Sequence, residues 1–289
     1  MSKRVINLWL SLGLAASDWL WYLFSRLLGR AQAPMCIVLA YLSVGRQERV
    51  RFARQMDILV RYATPVPAAV RALPSPGGRY AAVTFDDGLQ CIVENALPEL
   101  KKRGIPATLF IVTEVLGGYA EWQYLGGDDP STEKTMSVDQ LRELPSELVT
   151  IGSHTMTHAV LPALGDEQLS REILGSRVKL EQILNQEVKL LSFPYGAFDE
   201  RVIERCRQDG YERVFTALPV LAFADSEEFV TGRVGAAATD WPIEFRLKLA
   251  GAYRWLPQAY AWKRWLLSRF SRQGITRRRG LDAGENGVV

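Results

Sequence analysis

From Tyr80 onward, short apolar runs alternate with longer amphipathic ones. The apolar runs predict strands at Ala81–Phe85, Thr108–Val112, Leu148–Ile151, Lys189–Phe193, Arg213–Thr216 and Phe229–Val234. Between them, Ile92–Arg103, Val138–Glu143, Asp166–Asn185 and Glu200–Asp209 read as helices. In the third of these, Leu169, Ile173, Val178, Leu180 and Ile183 are placed to face a core, with Asp166 as its N-cap. Gly104 and Gly210 end the first and last helices. Upstream, a strand is expected at Cys36–Ala40 and a helix at Gln47–Val60, followed by a connecting stretch from Arg61 to Arg79 rich in Pro, Ala and Gly. Alternation of this kind implies an α/β fold with a parallel sheet and helical crossovers.

The two ends of the chain break the rhythm. Lys3 and Arg4 precede a long apolar stretch to Leu28, and Trp9, Leu12, Ala16, Trp19, Leu20, Leu23 and Leu27 follow a helical face. Asp18, near its middle, is costly for a transmembrane helix. Residues 1–34 therefore read as an interfacial or core-packed helix, with a signal anchor or a cleaved signal as alternatives. Residues 35–245 form the expected barrel domain. From Phe245 to Gly280 there are many basic residues and no acidic ones, interleaved with Trp255, Tyr260, Trp262, Trp265 and Phe270. Residues 246–280 are expected to be a basic, aromatic helical extension, either touching an anionic membrane or packed on the barrel. Residues 281–289 are expected to be a disordered tail.

Composition narrows the class. The 289 residues are 48% hydrophobic and 23% charged, which suits a globular core. A net charge of +3 is too small to argue for a nucleic-acid partner. The three cysteines, Cys36, Cys91 and Cys206, form no CxxC pair, which argues against a disulfide framework and a cysteine zinc site. Location reads as cytoplasmic, with membrane association or a signal-anchored extracytoplasmic domain as alternatives.

The chemistry collects at predicted strand ends. Asp86 and Asp87 follow the strand ending at Phe85, His154 follows Ile151, and Pro194-Tyr195-Gly196 follows Phe193. In α/β barrels functional groups gather at the C-terminal ends of strands. The chain has only two histidines, and they stand four apart. On a helical turn that spacing puts both imidazoles on one face, ready for one ion. Imidazole suits zinc, cobalt or nickel, and a catalytic site takes a third protein ligand and keeps a position open for water. Thr84-Phe85-Asp86-Asp87-Gly88 offers two carboxylates pointing opposite ways, one for the metal and one for its water. Taken singly, Asp-Asp-Gly could be a solvated turn, Ser153-His154 a helix cap and Phe193–Gly196 a rigid turn. Their conjunction points to hydrolysis of an amide or ester.

With these motifs the sequence resembles the polysaccharide deacetylase family, also called the NodB-homology or carbohydrate esterase 4 family. Thr84–Gly88 matches its TFDDG motif, which implies Asp86 as catalytic base and Asp87 as metal ligand. His154-Thr155-Met156-Thr157-His158 matches its H-S/T-x-x-H motif, which implies the two histidine ligands. Gly104–Thr108 resembles the entry to its second strand. The resemblance implies a distorted (β/α) barrel, here with extra N- and C-terminal helices, and one divalent transition metal, zinc first, with cobalt and nickel as alternatives. The third motif departs: Ser192-Phe193-Pro194-Tyr195-Gly196 stands where many members have Arg-Pro-Pro-Tyr-Gly. Pro194 and Tyr195 remain as substrate-binding residues, and the Tyr195 N–H as an oxyanion donor. Arg233 is the candidate replacement for the arginine that orients the base; the alternative is an ordinary surface arginine. The late histidine that serves many members as general acid is absent, a histidine near the first strand is Leu42, and Asp240-Trp241 resembles a fragment of a fourth motif.

The resulting expectation is a hydrolase that removes N-acetyl or O-acetyl groups from a polysaccharide or its lipid-linked precursor. The alternatives are a catalytically weak carbohydrate-binding protein that keeps the metal, and an amidase on a small non-sugar substrate.

Overall fold

Nine strands, all paired in parallel, organise the described part of the chain: β1 (Met35–Tyr41), β2 (Thr64–Pro65), β3 (Arg79–Phe85), β4 (Ala107–Ile111), β5 (Val149–Ser153), β6 (Leu190–Ser192), β7 (Arg213–Phe215), β8 (Val230–Thr231) and β9 (Val234–Gly235). The computed structural model describes residues 3–30, 33–122, 133–223, 225 and 227–259. The chain divides into two compact units, Met1–Tyr253 and Arg254–Val289. In the second, residues 256–259 are helical, and most of the expected basic extension and the whole expected tail lie outside the described residues.

The central strands are apolar on both faces because both faces are covered. Tyr80–Phe85 and Ala107–Ile111 are buried without a break, as a parallel sheet flanked by helices requires. β1 pairs with β3 from Met35↔Arg79 to Tyr41↔Phe85, and β4 pairs with β5 from Ala107↔Val149 to Ile111↔Ser153. The strand order is β8-β7-β6-β5-β4-β3-β1-β9, with β2 attached to β3.

The expected strand Phe229–Val234 is two strands. β8 pairs with β7 at one edge of the sheet, and β9 pairs with β1 at the other. Only Gly232 and Arg233 separate them, so the two edges must approach within a few residues and the sheet must curl into a barrel. At Gly232 a Cβ would lie 2.4 Å from Leu218 O, which explains a residue without a side chain.

Among the described residues seven helices flank the sheet: α2 (Arg49–Tyr62), α3 (Leu97–Arg103), α4 (Val138–Arg142), α5 (Asp166–Ser170), α6 (Ser176–Leu184), α7 (Glu200–Gln208) and α8 (Pro242–Leu249), after an N-terminal α1 (Lys3–Leu27). α2 buries Phe52, Gln55, Met56 and Leu59, a helical stripe. Phe52 meets Tyr41 edge-on at 5.4 Å and Phe85 at 6.0 Å, and the Tyr41 hydroxyl donates to Gln55 Oε1. The expected helix Ile92–Arg103 begins as a π-turn over Ile92–Ala96, where Leu97 N–H reaches back to Ile92 O. Pro98 follows and has no N–H to donate, which disfavours the ordinary ladder at that point. Gly104 closes α3 in the left-handed conformation, φ 62°.

The expected helix Asp166–Asn185 also contains a π-turn, Arg171–Gly175, between α5 and α6. The extra residue rotates the inward face. Leu169, Ile173 and Leu180 are buried as expected, whereas Val178 is exposed and Glu172 and Ser176 turn inward instead. The N-cap position belongs to Gly165; Asp166 begins the helix and pairs with Arg201 at 2.7 Å. α1 contacts α8 through Arg4, which donates to Glu244 Oε2 and Thr239 O and lies 4.3 Å from the Trp241 ring centre. No described helix is long and apolar enough to cross a membrane.

Candidate metal centre and active site

Parallel strands deliver the polar motifs to one end of the barrel. Asp86 and Asp87 follow β3, His154 follows β5, and Pro194 follows β6. Asp86 N–H donates to Tyr41 O at 3.0 Å and extends the pairing one residue beyond the strands. Asp87 then turns with φ 70°, and Gly88 continues with φ 67°. A Cβ at Gly88 would sit 3.0 Å from Ile111 Cδ1, so the turn is tight as well as left-handed.

The two aspartates have different surroundings. Asp86 is gripped by Arg233, whose Nη1 lies 2.7 Å from Oδ1 and whose Nη2 lies 2.8 Å from Oδ2. The same guanidinium donates to Ser192 Oγ, Thr84 Oγ1 and Thr216 O. Arg233 is 2% exposed, which removes the surface-arginine alternative. Burial alone would raise the Asp86 pKa, but the charges of Arg233 and His154 and the hydrogen bonds from Arg233 and Ser192 outweigh it and hold the carboxyl below its usual range. Asp87 faces the histidines: its Oδ1 is 3.4 Å from Nε2 of His154 and 3.4 Å from Nε2 of His158.

The histidine loop differs from the helical turn expected of the spacing. Residues 154–158 are irregular, with Thr155 at φ 69° and His158 at φ 62°. Glu172 shapes the loop from below. Its Oε2 accepts the N–H groups of Met156 and Thr157, and its Oε1 accepts the Thr157 hydroxyl at 2.7 Å. The π-turn that brings Glu172 inward is therefore part of the site. Thr155 Oγ1 accepts the His158 N–H at 3.1 Å. Four of the six described non-glycine residues with positive φ are Asp87, Thr155, His158 and Tyr195. Such conformations cost about 1–3 kcal/mol each and persist only where surroundings enforce them.

The donor set fits a metal. His154 Nδ1 lies 2.8 Å from Ser192 O, and a carbonyl only accepts, so Nδ1 carries the hydrogen and Nε2 presents a lone pair. Asp87, His154 and His158 are all buried, and their ligating atoms lie within 4.8 Å of one another. Two imidazoles and one carboxylate can hold a divalent ion and leave positions for water and substrate. Burial opposes charge on His154, but Asp86 and Asp87 overcome it and raise its pKa. His158, desolvated and next to His154, is pushed down to about 3.

Comparison with known proteins agrees with this geometry. Residues 74–214 match the sequence profile described as polysaccharide deacetylase. Over this stretch, just under half of its length, the chain is similar to the polysaccharide deacetylase family. It is 26% identical over 159 residues to YxkH of Bacillus subtilis, covering 55% of this chain and 52% of that protein. It is 27% identical over 161 residues to the poly-β-1,6-N-acetyl-D-glucosamine N-deacetylase of Staphylococcus epidermidis, covering 53% of each. The chain thus spans about half the length of these curated relatives. Among solved structures, IcaB from Ammonifex degensii superposes with a TM-score of 0.63 at 26% identity, covering 77% of this chain and 98% of that one.

Of the remaining expected residues, Tyr195 and Arg233 line the same cleft as Asp87, His154 and His158, and Pro194 does not. Pro194 is buried and Tyr195 turns with φ 58°, its ring edge-on to His158 at 4.6 Å. A cleft of about 440 Å³ is lined by Asp86, Asp87, His154, His158, Tyr195 and Arg233, with Leu42 and Lys248 on its wall. Lys248 is paired with Asp240 at 2.6 Å, and Trp241 is absent from the lining. A second cleft of similar volume lies around Thr150, Leu190 and Arg213 and contains none of the triad. There Lys189 and Arg71 are paired with Glu187 and Glu212.

Two functional neighbours escaped the sequence reading. Trp122 stacks on the His158 ring at 4.4 Å with planes 17° apart, and its Nε1 points at Asp87 Oδ2 from 3.4 Å. The core face expected of Asp166–Asn185 leaves Glu172 outside it. Neither has a spacing rule linking it to the metal motifs. A buried glutamate on an otherwise apolar helix face was the one available signal, and the π-turn concealed it.

Proposed function

We propose that this protein is a metal-dependent hydrolase that removes N-acetyl groups from a polysaccharide or its lipid-linked precursor. The observation that carries this reading is Asp86: buried, held ionised by a two-pronged arginine, and next to the ligand triad yet outside it. A purely binding or structural metal site has no use for such a group. The relative named as a poly-β-1,6-N-acetyl-D-glucosamine N-deacetylase supports an N-acetylated sugar polymer as substrate.

In this reading Asp87, His154 and His158 hold the metal, with zinc first and cobalt or nickel as alternatives. Such an ion, when bound, would supply Lewis acidity toward a water and an acyl carbonyl. Asp86 would accept a proton from the attacking water, and Arg233 keeps its carboxylate ionised and aimed. The Tyr195 N–H would support the developing oxyanion, while the Tyr195 ring forms the wall against the sugar and the buried Pro194 fixes the turn beneath it. No third histidine exists in the sequence. Asp86, once protonated, is then the group that can return the proton to the leaving amine.

The test is acetate release from β-1,6-linked N-acetylglucosamine oligomers by the metal-reconstituted protein and its Asp86→Asn variant. The variant should keep its metal and lose roughly 10²–10⁴-fold in kcat. Full activity in the variant would remove Asp86 as base. Inactivity of the wild type on all acetylated sugars would remove the deacetylase reading.

A further inference from the structure

α1 is built inside out. A helix on a water-soluble core turns its apolar stripe inward and its polar stripe to solvent. Here the residues facing the protein include the heptad-spaced polar line Arg4, Ser11, Asp18 and Ser25: Ser11 and Ser25 are the buried residues of α1, Asp18 is half-buried, and Arg4 bonds Glu244. The side opposite this line is apolar and exposed, with Trp9 at 65% and Leu27 at 85%, and Trp19, at 60%, borders it. From Trp19 to Leu28 all the large apolar residues are exposed. The charged groups outside the inward line are Lys3, Arg26 and Arg30, exposed and all basic.

We propose that α1 docks the protein onto an anionic lipid bilayer, lying in the headgroup–acyl interface. Tryptophan and tyrosine favour that layer, and basic residues at both ends of the helix meet the anionic headgroups. The helix is about 37 Å long at 1.5 Å per residue. It is not apolar enough to cross the membrane, so it lies in the interface and does not span. Pairing with a second copy fits less well. In a parallel pair Lys3 meets Lys3; in an antiparallel pair Lys3 meets Arg26 and Arg30. Either orientation sets like charges together. The inference is independent of the metal chemistry and stands whether or not the cleft is a deacetylase site.

The test uses the full chain in co-sedimentation with vesicles of phosphatidylcholine alone and of phosphatidylcholine with phosphatidylglycerol. The wild type should pellet with the anionic vesicles, and its tryptophan emission should shift to the blue. Trp9→Ser/Trp19→Ser, both away from the inward polar line, should partition at least about tenfold more weakly with an unchanged circular dichroism spectrum. Lys3→Gln/Arg26→Gln/Arg30→Gln should lose the preference for phosphatidylglycerol. Three results would overturn the proposal: wild type that stays in the supernatant with both vesicles and shows no emission shift, tryptophan variants that bind like wild type, or a self-associated wild type that the tryptophan substitutions convert to monomer without any vesicle binding.

Discussion

Replacing Arg233 with methionine tests the electrostatic core of the site. The guanidinium makes two short hydrogen bonds to Asp86 and three more to Ser192, Thr84 and Thr216, all within the barrel. Arg233→Met leaves Asp86 with no cationic partner of comparable proximity. Breaking one side of a buried ion pair costs about 3–5 kcal/mol. At roughly 2–4 °C per kcal/mol for a chain of this size, Tm should fall by ~6–20 °C near neutral pH. The pH dependence is the sharper signature. In the wild type the folded Asp86 pKa is depressed, so its contribution is present above the unfolded carboxyl value of about 3.9 and is lost as pH falls through the folded value. Without Arg233, burial acts with far less opposition and the folded pKa rises. The protonated form is then the better tolerated one, and stability falls as pH rises. The Tm gap between wild type and variant should therefore widen from acid to neutral pH, and the acid limb of kcat/KM should move to higher pH. Thermal unfolding across a pH series, together with the rate profile of acetate release, reads both. A Tm gap constant at every pH, with an unmoved acid limb, would refute the claim that Arg233 holds the charge on Asp86.

The loop and the ring above it lead to two further predictions. Glu172→Gln keeps the shape but removes the carboxylate that accepts the Met156 and Thr157 N–H groups; metal affinity measured by chelator competition should fall roughly 10–100-fold, and unchanged affinity would show that the loop holds itself. Trp122→Phe keeps a ring to stack on His158 but loses the N–H aimed at Asp87, so it should weaken metal binding less than Trp122→Ala; equal affinities in all three proteins would remove Trp122 from the site.

How far the sequence could be read follows from which forces are local. Continuous apolar runs identify β3 and β4 because strands buried on both faces need no alternation. The spacing of His154 and His158 points to two imidazoles that do converge with Asp87, yet it misjudges the backbone between them. That backbone is set by Glu172, which contacts it through tertiary packing. Phe229–Val234 looked like one strand because hydropathy does not report pairing partners. Curling of the sheet sends its two halves to opposite edges and puts Arg233 between them, where it reaches Asp86. Trp122 lies in an irregular stretch, so its position beside His158 depends wholly on the fold. The apolar spacing predicts α1 as a helix but says nothing of where its polar residues face, which follows only from Arg4 bonded to Glu244 of α8.

The most direct test of the metal-dependent reading is elemental analysis of the purified, reconstituted wild type beside His154→Ala and Asp86→Asn. The account predicts about one transition-metal ion per chain in the wild type and in Asp86→Asn, and its loss in His154→Ala, because His154 belongs to the ligand set and Asp86 does not. Absence of bound metal from the wild type, or full retention by His154→Ala, would contradict it.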